Sequence, residues 1–140
     1  MGFNARRVTT SASTGNLDTN VAGTQEAAAV LTMNQVEPGS LAAEVLVDCE
    51  TSTLTMFLDW QVSNDNSTWM TVANGTQNAA AVALATGTAG ADASVTKIVP
   101  APSCVYSYPY CRAAIRNEVA TGNTVDTYSV KYQYMKPAFR

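Results

Sequence analysis

The chain is interrupted too often to hold a long helix. Short runs rich in Val, Thr, Tyr, Leu and Ala alternate with clusters of Gly, Asn, Asp, Ser and Pro, the pattern of an all-β sandwich or barrel. Strands are expected near residues 5–11, 28–33, 43–50, 53–63, 69–73, 94–99, 105–118 and 125–135. About eight strands suit a two-sheet, jelly-roll-like sandwich. The last is the clearest, because Tyr128, Val130, Tyr132 and Tyr134 point one way while Ser129, Lys131, Gln133 and Met135 point the other. In 53–62, Leu54, Met56, Leu58, Trp60 and Val62 share a face, but Phe57 breaks the polar set opposite. That phenylalanine belongs either to a second apolar layer or to an interface.

Other stretches are read from composition. Residues 25–33 have a helical composition in a threonine-rich context and are taken as strand. Residues 78–93, small and broken by glycine, are expected to be a long surface loop. Residues 1–25 mix Ser, Thr, Asn and Gly around scattered apolar anchors. They are read as an extended N-terminal arm that packs on a neighbouring subunit, with 26–140 as the β-sandwich domain.

With 140 residues, 46% of them hydrophobic, one core is the expectation. Charged residues are only 14%, the net charge is -3 and histidine is absent. The charge balance gives no footprint for nucleic acid, and the missing imidazole removes the commonest general base and metal ligand. No enzymatic activity and no cofactor are expected. No apolar run is long enough to span a membrane, and the N-terminus leads into threonines and serines instead of an apolar signal core, so synthesis in a cytoplasm is expected. The three cysteines, Cys49, Cys104 and Cys111, form no CxxC pair and are read as buried reduced thiols.

Several side chains could carry chemistry. The turn Ser63-Asn64-Asp65-Asn66-Ser67 offers oxygen ligands for calcium, but it lacks a second acid at fixed spacing and reads first as a plain turn. Trp60 and Trp69 could stack on a sugar, though at either end of a hairpin they more often pack two sheets together. Asp59 with Asp65, or Asp48 with Glu50, could be offered as a glycosidase pair. Arg112 and Arg116 are four apart and therefore share a strand face. They could clamp a partner's carboxylate or pair internally with Asp59 or Glu118. Candidate subunit-interface residues are Phe3, Arg6, Arg7, Phe57, Arg112, Arg116, Phe139 and Arg140.

The Ser-Asn-Asp-Asn-Ser-Thr-Trp hairpin (63–69), followed later by Tyr-Cys-Arg-Ala (110–113), resembles small β-sandwich structural proteins of tailed bacteriophages. Within that group the chain is most similar to capsid decoration, or cement, proteins. The likeness covers roughly the middle and C-terminal two-thirds. It implies a protein of the virion exterior that binds major capsid protein across subunit joints and self-associates as a dimer or trimer. Discoidin-like carbohydrate-binding modules carry a similar hairpin, but this chain has Asn66 where their turn usually has glycine. A carbohydrate-binding module, or another virion component such as a tail-tube or head-fibre subunit, is the alternative.

Overall fold

A computed structural model describes residues 6–16, 25–49, 55–72, 82–86, 93–117 and 127–137. Eleven strands run in the order β1 (Arg6–Thr9), β2 (Ser13–Asn16), β3 (Gln25–Ala27), β4 (Leu31–Thr32), β5 (Ala42–Cys49), β6 (Thr55–Ser63), β7 (Met70–Thr71), β8 (Val82–Thr86), β9 (Ala93–Pro100), β10 (Tyr110–Asn117) and β11 (Thr127–Lys136). Two short 3-10 turns, Met33–Gln35 and Ser103–Ser107, are the helical elements among the described residues.

The strands form two antiparallel sheets. Sheet A has the order β1-β11-β5-β9 with β2 also on β11, and sheet B has the order β3-β10-β6-β7 with β4 on β10 and β8 on β6. Because β1 and β2 lie end to end along β11, and β3 and β4 along β10, there are eight principal strand positions, with β7 as an addition. Their partners are nested: first with last, second with second-to-last, and so inward to β6 with β8. Such nesting across two sheets is the jelly-roll arrangement expected for this chain.

The core follows from period-two alternation. Tyr128, Val130 and Tyr132 of β11 and Ala43, Val45 and Val47 of β5 face Leu58, Trp60 and Val62 of β6 and Cys111, Ala113 and Ile115 of β10, all buried. The small Ala113 stands opposite Trp60 in the register, and the indole lies 6.3 Å from the Tyr132 ring, tilted by 37°. Tyr132 also bridges the sheets with its polar end. The strand facing β10 breaks between β3 and β4, and there the phenol accepts from Ala113 N (2.8 Å) and donates to Ala29 O (2.7 Å). Burial pushes this phenol well above its ordinary pKa, partly offset by the Ala113 amide.

The structure alters several expectations. Residues 82–86, expected as loop, are a strand on β6; Val82, Leu84 and Thr86 alternate with alanines, a period-two run inside the small-residue stretch. The strand expected from 105 starts at Tyr110, because Pro102 and Pro109 frame a 3-10 turn. Residues 25–33 are two short strands and a turn. Of the N-terminal arm, residues 6–16 run along the sandwich's own β11. From Thr9 to Ser13 the chain advances four residues while β11 retreats three, from Gln133 to Val130, so a bulge joins β1 to β2. Thr10 fills it: its amide donates to Tyr132 O and its hydroxyl accepts from Tyr132 N. Gly15 lies opposite Tyr128, and a Cβ there would come to 3.0 Å from the ring, so a larger residue requires the tyrosine to give way.

Candidate functional site: the outer face of sheet B

On β6 the residues between the core positions are Phe57, Asp59, Gln61 and Ser63, and they face away from the other sheet. Solvent should reach them, yet Asp59 is 3% exposed, Gln61 6% and Ser63 not at all. The cause is the neighbouring strand. The register sets Arg116 opposite Phe57, Ala114 opposite Asp59 and Arg112 opposite Gln61. The two arginines lie over the face and leave even Ala114 without exposed surface.

The polar groups beneath form one chain of hydrogen bonds. Arg116 grips Asp59 with Nε on Oδ2 (2.8 Å) and Nη2 on Oδ1 (3.3 Å), while its guanidinium carbon lies 5.0 Å from the Phe57 ring centre. Gln25 of β3 donates to Asp59 Oδ2 (2.8 Å) and accepts from Gln61 Nε2 (3.2 Å). Gln61 Oε1 then accepts from Arg112 Nε at 2.7 Å, and the Arg112 guanidinium sits 4.1 Å above the Trp69 ring. The carboxylate is thus held by Arg116 and Gln25, and Arg112 rests on the neutral amide of Gln61. Burial lowers the Arg112 pKa from its ordinary value, the direction expected where a cation loses water.

Among the candidate residues, Phe57, Arg112 and Arg116 are brought together here. Arg6 and Arg7 lie exposed on β1 at the edge of sheet A, where Arg7 donates to Gln133, which in turn donates to Glu44 (2.8 Å). Phe3, Phe139 and Arg140 lie outside the described residues, as do Glu50 and Glu118. Of the internal partners open to the arginines, Asp59 takes Arg116. Trp60 packs between the sheets as expected, but Trp69 does not: one residue before β7, it lies on the outer face under Arg112. Gln25 and Gln61 escaped the sequence reading. Alternation with Asp59 was the available signal for Gln61, and none pointed to Gln25.

The hairpin turn spends its acid on itself. Asp65 Oδ1 accepts from Thr68 N (2.7 Å), Ser67 N (2.9 Å) and Ser63 Oγ (2.9 Å), while Asn66 takes the left-handed φ of 59°. The Thr68 and Ser67 amides, followed by the Ser63 hydroxyl, bring the Asp65 pKa down to about 2. Among the described residues no three potential metal ligands gather. Cys111 is buried, and its thiol is pushed up to about 12, first by burial and then by the nearby Cys104. Two shallow depressions, of about 290 Å³ beside the 3-10 turns and about 280 Å³ between β2 and β5, contain no carboxylate in their walls. The outer face of sheet B offers aromatic and guanidinium groups held by hydrogen bonds and ring contacts, with Asp59 paired to Arg116.

No protein-family model and no curated protein matches the chain. Among solved structures, a chain from infectious bursal disease virus, Gx strain, superposes with a TM-score of 0.53 at 12% identity over 98% of this chain and 34% of its own length. A chain of Clostridium thermocellum endo-1,4-beta-D-xylanase 10B, comprising CBM22-1 and GH10 modules complexed with xylohexaose, gives a TM-score of 0.37 at 12% identity over 90% of this chain and 25% of its own. This chain thus spans about a third of the first and a quarter of the second, and the second likeness is too loose to argue from. What the comparisons establish is the fold: an antiparallel β-sandwich of a kind also present in a virus structure.

Proposed function

We propose that the chain is a virion structural protein that binds the outside of an assembled phage capsid, stabilises contacts between major capsid subunits and catalyses nothing. The observation that carries this reading is the outer face of sheet B. Its polar groups are hydrogen-bonded in advance and its aromatic and guanidinium groups are held in place, which suits docking more than chemistry. Such side chains dominate protein interfaces and lose little freedom on binding when already fixed. The resemblance of 63–69 and 110–113 to decoration proteins, and a fold shared along nearly the whole chain with part of a virus structure, support it. The protein is made in the host cytoplasm, acts as a dimer or trimer and remains on the particle exterior. Several contacts per oligomer make weak individual contacts add up.

A ligand that binds the assembled shell in preference to its parts must raise the shell's stability with occupancy. Particles stripped of the protein are expected to lose DNA at a lower temperature than decorated ones, and purified protein should restore them. Equal melting of stripped and decorated particles would overturn the proposal.

One observation favours a second reading, a carbohydrate-binding module: Trp69 lies beside Gln61 and Arg112, an aromatic ring among hydrogen-bonding groups. Against it, the guanidinium already covers one face of that ring. Titrating glycans against tryptophan fluorescence separates the two, since only the second reading predicts a saturable change.

A further inference from the structure

The two arginines of the outer face look alike in sequence and differ in what they have left to give. Arg116 spends Nε and Nη2 on the carboxylate of Asp59. Arg112 spends Nε on a neutral amide, Gln61 Oε1 at 2.7 Å, and its guanidinium carbon lies 4.1 Å over the Trp69 ring centre. Among the described residues no carboxylate contacts it, and the salt bridge of this face belongs to Arg116. Its outer edge, the Nη1 and Nη2 pair, thus remains available in a side chain whose stem and plane are already held. A partly buried cation without a counter-ion is an unfinished arrangement, because water is reduced around it and no charge replaces the water.

We propose that Arg112 is a carboxylate-recognition residue, its outer edge receiving an aspartate or glutamate side chain of the protein that docks on the face of sheet B. The inference rests on the reading of this face as a docking surface and names the group it recognises. A guanidinium fixed at Nε and stacked on an indole presents two parallel N–H bonds end-on, the geometry that fits a carboxylate's two oxygens. The occupant is a protein side chain for three reasons. With a net charge of -3 the chain lacks the field that gathers a polyanion such as nucleic acid. One fixed cation matches one charge. And the indole face that a sugar acid would stack on is taken by Arg112 itself.

Two measurements on the full chain test it. In the first, the Arg112 Nε–H and Trp69 indole N–H resonances are followed while the blocked amino acid N-acetylglutamate methylamide, galacturonate or dimethyl phosphate is added, each carrying one negative charge. The glutamate probe is expected to shift both resonances saturably and more tightly than the other two, and the Trp69 shift should vanish in Arg112→Gln. No shift, or tighter binding of galacturonate or dimethyl phosphate, overturns the proposal. In the second, attachment to stripped particles is compared for wild type, Arg112→Gln and Arg112→Lys. Lysine keeps the charge but not the paired donors, so both variants are expected to lose at least tenfold in affinity while melting close to wild type. Unchanged attachment of both variants overturns the role of Arg112 and leaves the capsid reading intact. Failure of the wild type to attach overturns the capsid reading, and the first measurement then decides on Arg112 alone. If Arg112→Gln does not fold, Arg112→Lys carries both comparisons.

Discussion

On the outer face of sheet B, Asp59 and Gln61 are 3% and 6% exposed, whereas on the outer face of sheet A, Leu46 and Ile98 stand 42% and 60% exposed. Both are faces of one antiparallel sandwich, where the usual arrangement is core inward and polar residues outward. The difference comes from the neighbours. Long arginines on β10, anchored by Asp59, Gln61, Trp69 and Phe57, roof the face of sheet B. On sheet A the corresponding chain, Arg7 to Gln133 to Glu44, crosses from β1 over β11 to β5 and leaves Leu46 and Ile98 exposed. Burial on an outer face is thus decided by whether long side chains are held down, not by the polarity of what lies beneath.

The sharpest way to break the comparison is to remove the roof. Arg116→Ala leaves the Asp59 carboxylate, 4% exposed, with Gln25 as its remaining side-chain partner. Breaking a buried pair costs about 3–5 kcal/mol; because Arg116 is itself 21% exposed, a loss of about 2–3 kcal/mol is expected in urea unfolding. The double variant Asp59→Leu with Arg116→Met should recover most of it, since apolar replacement of both partners removes the stranded charge. A single-variant cost below about 0.5 kcal/mol would reduce this pair to an ordinary surface salt bridge.

A smaller effect sharpens the contrast between outer and inner polar groups. Tyr132→Phe keeps the ring against Trp60 but strands Ala113 N–H and Ala29 C=O. About 1–3 kcal/mol is expected, read as a lower urea midpoint with unchanged slope. Local hydrogen exchange should rise at Ala113, whereas Arg116→Ala should leave that amide protected up to global unfolding.

How much of this could be read in the sequence depends on how far each contact reaches. The alternation of 127–136 and 55–63 gave the sandwich, because period two is local and one face of each strand is apolar. The spacing of Arg112 and Arg116 put them on one face for the same reason. Which of them holds the acid was not legible: Asp59 lies 57 residues from Arg116, and only the β6–β10 register decides. Gln25 reaches Asp59 across 34 residues from a three-residue strand, too short to show a period. Residues 82–86 pair along β6 inside a stretch of alanines and glycines, and their alternation of Val82, Leu84 and Thr86 with alanine is only five residues long, too short to stand out. Tryptophans at hairpin ends more often pack inward, but Trp69 lies outward because it shares a face with Thr71 two residues on, which pairs with Gln61 on the outer face.

A weaker test uses Asp65, the acid of the hairpin turn at the end of β6. The folded Asp65 pKa of about 2 lies below the ordinary 3.8, so the turn contributes stability above about pH 4 that is lost as pH falls through 2. Asp65→Ala is therefore expected to remove a part of the acid sensitivity between pH 4 and pH 2 that Arg116→Ala leaves in place. Unfolding midpoints at pH 7, 4 and 2.5 check this, and identical pH profiles for wild type and Asp65→Ala would contradict the self-capped turn.

The smallest expected effect tests the open side of the comparison. Ile98 and Leu46 project from adjacent strands, with Ile98 opposite Glu44 and Leu46 opposite Thr96, and no long side chain roofs either one to the extent seen on sheet B. Exposed at 60% and 42%, they gain little from folding, so Ile98→Thr and Leu46→Thr should each change stability by no more than about 0.5 kcal/mol. Threonine also suits a strand, which offsets part of the lost apolar area. The measurement is made at two protein concentrations a hundredfold apart. A cost above about 1 kcal/mol at both would mean that this face is covered within the chain, and the contrast between the sheets would fail. A cost that appears only at the higher concentration would place the cover in a second copy, because a contact between copies stabilises by mass action and is lost on dilution.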